Sequence, residues 1–154
     1  AEIANDNSEG QLVLSGRIGD LNLLTEFLKS KKIKNIRLPV SAPFHCKLMN
    51  KATEIMSKEI EKLNFQKSNN ILISNVTAGE ISDISELKKL LISQIESRVR
   101  WRESITNMTN KGINHFIEIG PGKVLTGLAK RIVKKSKLLS INTLEDLESS
   151  QYES

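Results

Sequence analysis

Short apolar segments alternate along the chain with longer segments whose apolar residues recur every three or four positions. The short segments are typical of β-strands and lie at residues 1–3, 11–16, 33–38, 71–73, 116–119 and 138–141. The longer segments have helical spacing and lie at residues 18–28, 47–64, 84–95, 101–109 and 124–132. Strands alternating with helices predict an α/β fold with parallel pairing in at least part of the sheet.

Polar residues mark some of the predicted boundaries. The polar segment at residues 5–10 predicts a turn between the first two strands. Asp83 followed by Glu86 predicts an N-cap, close to a capping box, at the start of the helix in residues 84–95.

The connection between the predicted strand 33–38 and the helix after it carries a histidine. Residues 40–47 read VSAPFHCK, and Pro43 restricts the backbone just before His45. Loops at strand ends often present catalytic groups, so His45 is a candidate general base, with a packed loop histidine as the alternative. Cys46 is adjacent, but neighbours on an extended segment point in opposite directions. We therefore expect Cys46 to be packed rather than paired with His45.

The composition is that of a single globular domain with a modest basic excess. Of 154 residues, 38% are hydrophobic and 27% charged, and the net charge is +5. Basic residues do not alternate with aromatic ones, which argues against nucleic acid and favours an acidic or phosphorylated partner. No run of about 18 apolar residues occurs, so no membrane span is predicted. The single cysteine fits a reducing compartment, the cytoplasm or a bacterial-type organelle.

Two other kinds of site are not predicted. The two histidines and one cysteine lack the spacing of zinc ligands, so we expect no metal site. Residues 120–123, GPGK, lie at a strand-to-helix turn where a phosphate loop would lie, but the G-x-x-x-x-G-K-[ST] spacing is absent. We expect this segment to be a tight turn that packs a helix on the sheet.

Several segments, taken in order, resemble the malonyl-CoA:acyl-carrier-protein transacylases. Residues 5–16, NDNSEGQLVLSG, resemble the family's N-x-N-S-P-G-Q-x-V-x-x-G segment, and residues 41–46, SAPFHC, resemble its catalytic-histidine motif. Its later landmarks are matched by SNVT at residues 74–77, by Gln94 followed by VRW, and by EIGPGKVLTGL at residues 118–128. The resemblance covers roughly residues 1–141. Proline is usual in the family where Glu9 and Arg98 stand here, and neither departure removes a reactive group.

The resemblance implies a fold and a division of the chain. The fold would be the C-terminal part of an α/β-hydrolase-like acyltransferase core together with part of an inserted ferredoxin-like subdomain. Residues 1–39 would belong to the subdomain and residues 40–154 to the core.

The resemblance also implies a reaction without a bound cofactor. Malonyl would pass from malonyl-CoA to the phosphopantetheine thiol of acyl carrier protein through an acyl-serine intermediate, in fatty acid synthesis. His45 would be the general base, and the backbone carbonyl of Gln94 would fix its tautomer. Residues implied to bind substrate are Asn5, Asn7, Gln11 and Phe44, the last as a hint of malonyl preference.

One essential group has no counterpart in the sequence. The family's nucleophile lies in a G-H-S-x-G motif, and no Gly-x-Ser-x-Gly occurs here. The sequence also opens at Ala1 in an apparent strand, so we expect a piece of a longer protein whose N-terminal half would be a necessary partner. We expect these residues alone to be inactive. The alternative function is a non-catalytic module that docks or assembles carrier protein.

Overall fold

The computed structural model describes residues 1–150, and four strands and six helices lie within them. In chain order the elements are β1 (Glu2–Ser8), β2 (Gln11–Ser15), α1 (Ile18–Ser30), α2 (Asn50–Lys62), α3 (Ile84–Ser93), α4 (Trp101–Asn110), β3 (His115–Ile119), α5 (Val124–Ile132), β4 (Lys137–Ile141) and α6 (Leu144–Ser150). A short 3-10 helix, Lys47–Met49, leads into α2.

The strands form two separate two-stranded sheets. β1 and β2 make an antiparallel hairpin, whereas β3 and β4 pair in parallel, from His115 opposite Lys137 to Ile119 opposite Ile141. Helix α5 connects the parallel strands, as the return from one end of a sheet to the other requires. The predicted α/β class with parallel pairing is confirmed.

The buried core lies between α4, α5 and the parallel sheet. Ile105 of α4 packs with Ala129 and Val133 at the end of α5, and these three residues are almost inaccessible to water. Around them pack the partly buried side chains of Trp101, Met108, Phe116, Ile132 and Leu138. The apolar spacing of α4 and α5 therefore places one face of each helix against the other and against one face of the sheet.

The turn from β3 to α5 is built by glycines and by a carboxylate. Gly120 and Gly122 have φ values of +135° and +93°, which side-chain-bearing residues rarely adopt. The Glu118 carboxylate accepts hydrogen bonds from the backbone N–H groups of Leu125 (3.0 Å) and Thr126 (2.7 Å) at the start of α5. A protein carboxylate therefore occupies the place that an anion would take, and the predicted tight turn is confirmed.

Three predictions about strands are wrong. Residues 33–38 form no strand and pair with no other segment of the described chain. Of residues 71–73, Ile73 makes only an isolated bridge, to Glu80. Residues 5–8 belong to β1 rather than to a turn. The sequence predicts a turn here because the inward positions of the strand carry small or polar residues, Ala4, Asp6 and Ser8, instead of an apolar alternation.

The division at residue 39 stays a prediction, and residues 151–154 of the second predicted part lie outside the described residues. Between residues 1 and 150, no helix combines the length and apolar character needed to cross a membrane.

Candidate active site

His45 and Gln94 are 49 positions apart in sequence and meet in the fold. The Nδ1 atom of His45 lies 2.9 Å from the backbone carbonyl oxygen of Gln94. A carbonyl oxygen can only accept a hydrogen bond, so Nδ1 must carry the proton and act as donor. In the neutral ring this leaves the Nε2 lone pair free, as a general base requires.

An unusual backbone conformation aims the His45 ring. His45 has a φ of +59°, in the left-handed region that costs an L-residue about 1–2 kcal/mol. The loop is held on both sides of it: Pro43 fixes the approach, and the fully buried Cys46 donates its thiol hydrogen to the Pro43 carbonyl oxygen at 3.2 Å. Cys46 is therefore packed, as predicted. Strain of this kind persists only where the surrounding structure enforces it and often accompanies function.

The carbonyl partner lies where helix α3 ends. Gln94 is the C-terminal cap of α3, and the last carbonyl groups of a helix have no partner within it. At the other end, Asp83 accepts from the Glu86 backbone N–H at 2.8 Å, while Glu86 accepts from the Ser82 N–H at 2.7 Å. The predicted N-cap is confirmed. The helix thus has a fixed start and presents its negative end to His45.

Strand β1 contacts both segments that form this pair. Downstream of Gln94, the Val99 N–H donates to the Ala4 carbonyl oxygen (2.8 Å) and the Asp6 N–H donates to the Val99 carbonyl oxygen (2.9 Å). On the histidine side, the Glu2 carboxylate accepts from the backbone N–H of Lys47 at 3.2 Å. Strand β1 therefore fixes the position of the histidine loop relative to the segment that follows Gln94. The sequence alone does not indicate this role for Glu2 or Asp6.

An ion pair between a buried carboxylate and a half-exposed guanidinium reinforces this arrangement. Asp6 is 3% exposed, and its two carboxylate oxygens accept from Arg102 Nε (2.9 Å) and Nη2 (2.7 Å). The hydrogen bond and charge of Asp6 raise the pKa of Arg102. Nearby, Arg98 and Arg100 both bond to Glu103 at 2.9 Å. The arginines that follow Gln94 are thus paired within the chain.

Of the four residues predicted to bind substrate, Phe44 lies beside His45, and the other three lie on the β1–β2 hairpin. Phe44 is 47% exposed. It lines the same groove as His45 and Gln94, so the fold brings these three residues together. Asn5 and Asn7 lie half-buried in β1, where Asn5 bridges to Val99. Gln11 is turned toward α5, and its Oε1 accepts from Arg131 at 2.6 Å.

An apolar groove of about 500 Å³ opens beside the pair. Phe44, His45 and Gln94 lie along it, and aliphatic and aromatic side chains of α2, α3 and the segment after α2 supply the rest of its lining. The groove places apolar side chains on one side of the imidazole and is open to solvent on the other. Within residues 1–150, no group of three or more histidine, cysteine or acidic side chains is arranged to hold a metal ion.

Comparison with known proteins gives a consistent result. No model of a protein family matches the sequence. The malonyl CoA-acyl carrier protein transacylase of Bacillus subtilis is 37% identical over 148 residues, which are 96% of this chain and 47% of that protein. The Staphylococcus aureus protein of the same name is 40% identical over 147 residues, 95% of this chain and 48% of its own length. The chain thus spans about half the length of these relatives.

Solved structures agree in fold. The acyl-carrier-protein S-malonyltransferase of Bartonella henselae matches with a TM-score of 0.92 at 41% identity, over 98% of this chain and 48% of that one. A malonyl-transacylase solved in complex with its type II PKS acyl-carrier protein matches with a TM-score of 0.93 at 30% identity, over 99% and 50% of the two chains. By sequence and by fold, this chain is similar to about half the length of the malonyl CoA-acyl carrier protein transacylases.

Proposed function

We propose that this chain supplies the general base of a malonyl-CoA:acyl carrier protein transacylase, whose nucleophilic serine comes from the rest of that enzyme. The observation that carries the proposal is the hydrogen bond from His45 Nδ1 to the Gln94 carbonyl oxygen, which leaves Nε2 as the basic atom. A non-catalytic docking module would have no use for a strained histidine held in one tautomer, and no contact of the described residues favours it.

In the first half of the reaction, the serine oxygen bonds to the thioester carbonyl carbon of malonyl-CoA and its proton passes to His45 Nε2. The resulting imidazolium donates from Nδ1 to the Gln94 carbonyl at the negative end of α3, an arrangement that stabilises positive charge. As the carbon–sulfur bond breaks, the proton passes from Nε2 to the departing coenzyme A sulfur.

The second half reverses these steps with the carrier protein. The phosphopantetheine thiol gives its proton to Nε2 as its sulfur bonds to the acyl carbon, and the serine oxygen takes that proton when its bond to carbon breaks. We assign positioning of the substrate to Phe44, because it lies beside His45. We assign the same role to Asn5, Asn7 and Gln11 on the β1–β2 hairpin, because residues 5–16 resemble the family's N-x-N-S-P-G-Q-x-V-x-x-G segment. The structure solved with an acyl-carrier protein supports the carrier as partner. We place the reaction in the cytoplasm or a bacterial-type organelle, because the single cysteine fits a reducing compartment.

The test is reconstitution. The chain alone should not be acylated by malonyl-CoA, whereas a mixture with the portion of the Bacillus subtilis enzyme that it does not match should transfer malonyl to carrier protein. In that mixture His45→Ala should reduce the rate by about 100-fold or more, the usual contribution of general base catalysis. Gln94→Ala should have a much smaller effect, because it keeps the carbonyl. Acylation of the isolated chain, or a Gln94→Ala variant as inactive as His45→Ala, would refute the assignment.

A further inference from the structure

Helices α2 and α3 are joined by a polar contact at each end. At one end, His45, which precedes α2, donates from Nδ1 to the backbone carbonyl oxygen of Gln94 at the end of α3. At the other end, the Nζ atom of Lys88 in α3 donates to the backbone carbonyl oxygen of Glu61 in the last turn of α2, at 2.8 Å. A C-terminal carbonyl group of each helix is therefore bonded by a side chain from the other segment, and the two helices run antiparallel.

The Lys88 ammonium is held by more than this one hydrogen bond. Its side chain is 20% exposed, and Nζ lies 3.8 Å from a carboxylate oxygen of Glu61 and 6.0 Å from the centre of the Phe65 ring. The negative end of α2 and the face of the ring both attract a cation at this place. Lys89, the next residue, is exposed on the surface of α3. Lys88 is therefore fixed against α2, whereas its neighbour is solvated.

Apolar packing alone positions these two helices weakly. Among the described residues of α2 and α3, Ile60 of α2 is buried and no residue of α3 is. Side chains of both helices line the open groove beside His45 instead of filling it. Two helices that bury little apolar surface against each other gain little from any one alignment, so the polar contacts at the two ends determine how they align.

We propose that Lys88 is a positioning residue for the His45–Gln94 pair: its bond to the last turn of α2 fixes the alignment of α3 that brings the Gln94 carbonyl oxygen to His45 Nδ1. This inference rests on the proposed function, because it adds a residue that holds the proposed general base in place. Lys88 lies six positions before Gln94, about 9 Å along the helix axis, so it acts through the rigid helix. A displacement of about 1 Å in a catalytic arrangement can reduce a rate by about 100-fold.

The experiment compares substitutions at Lys88 by nitrogen NMR of the chain and by kinetics of its mixture with the unmatched portion of the Bacillus subtilis enzyme. Lys88→Met keeps a long side chain but cannot donate. We expect neutral His45 to change from the Nδ1-protonated form toward the mixed tautomers of an exposed histidine such as His115. In the mixture, kcat should fall about tenfold while KM for malonyl-CoA stays almost unchanged. Lys88→Arg still donates and should resemble the parent chain, as should the matched control Lys89→Met.

The possible results separate a positioning role from a merely stabilising one. If Lys88→Met lowers the midpoint of thermal unfolding but leaves the His45 tautomer unchanged, Lys88 only stabilises the fold and the proposal is overturned. Equal effects of Lys89→Met and Lys88→Met overturn it as well. Circular dichroism checks folding, and Lys88→Gln, with a shorter and neutral side chain, replaces Lys88→Met if that variant does not fold.

The same measurements distinguish this proposal from the proposed function. A shifted tautomer in Lys88→Met with kcat at the parent value keeps the proposed function and rejects Lys88 as a positioning residue for it. A parent mixture that transfers no malonyl rejects the proposed function, whereas a shifted tautomer in Lys88→Met still supports the role of Lys88 in aligning His45 with Gln94.

Discussion

The carboxylate of Asp6 accepts two hydrogen bonds from the guanidinium of Arg102, a residue 96 positions away in sequence. Asp6 lies in strand β1 and Arg102 in the first turn of α4, immediately after the segment that carries the Gln94 carbonyl. The pair therefore joins the hairpin to the candidate active site. It also means that the guanidinium of Arg102 is paired with a carboxylate within the chain.

Replacing Arg102 should destabilise the fold. Arg102→Ala leaves the Asp6 carboxylate buried without its ion-pair partner, and we expect the midpoint of thermal unfolding to fall by several degrees. Arg102→Lys keeps the charge but loses the two-pronged geometry, so its midpoint should lie between those of the alanine variant and the parent chain. Lys29→Ala, which removes an exposed pair with Glu26, is the control and should change the midpoint little. Unfolding followed by circular dichroism would contradict this account if Arg102→Ala and Lys29→Ala melted alike.

The sequence predicted most of the helices and the site pair, but not what holds them together. Helices follow from local apolar spacing, and the His45 and Gln94 motifs were recognisable because each is short and continuous. The sequence predicts a turn at residues 5–8, where β1 lies, because the partner of the buried Asp6 is Arg102, far along the chain. Residues 33–38 contain the β-branched residues Ile33 and Ile36, which favour a strand, but a strand forms only where another strand pairs with it.

Glu118 should make stability depend on acid pH. Its pKa is held below the usual value of 4.5 by hydrogen bonds from Thr126, through the side chain and the backbone N–H, and from the Leu125 N–H. A lowered pKa in the folded state means that the stabilisation is fully present above pH 4.5 and is lost as the pH falls through the folded value. Glu118→Gln removes the charge at the start of α5, so the variant should be less stable at pH 7 and should lose less stability between pH 5 and pH 3. Urea unfolding at a series of pH values measures this, and parallel pH profiles for the two proteins would rule it out.

The left-handed conformation of His45 makes a prediction about substitutions. Ala and Gly both lose the hydrogen bond to Gln94, but glycine adopts a φ of +59° without strain. His45→Gly should therefore be more stable than His45→Ala by about 1 kcal/mol, and His45→Val, with a β-branched side chain, should be the least stable of the three. Free energies of unfolding from urea titrations test this order. Equal stabilities for the glycine and valine variants would mean that the loop relaxes out of the left-handed region when the imidazole is absent.

The last prediction concerns the tautomer on which the proposed chemistry depends. In the neutral state, His45 should carry its proton on Nδ1, because the Gln94 carbonyl oxygen 2.9 Å away can only accept a hydrogen bond. The chain has only two histidines, so nitrogen NMR of protein labelled at both ring nitrogens gives a simple spectrum. His115, which is exposed at the start of β3, provides the reference within the same molecule. Gln94→Ala keeps the carbonyl and should leave the His45 signals unchanged, which separates the backbone from the side chain as the partner. A neutral His45 protonated on Nε2 would have its free lone pair on Nδ1, facing the carbonyl instead of a substrate, and could not act as the base proposed here.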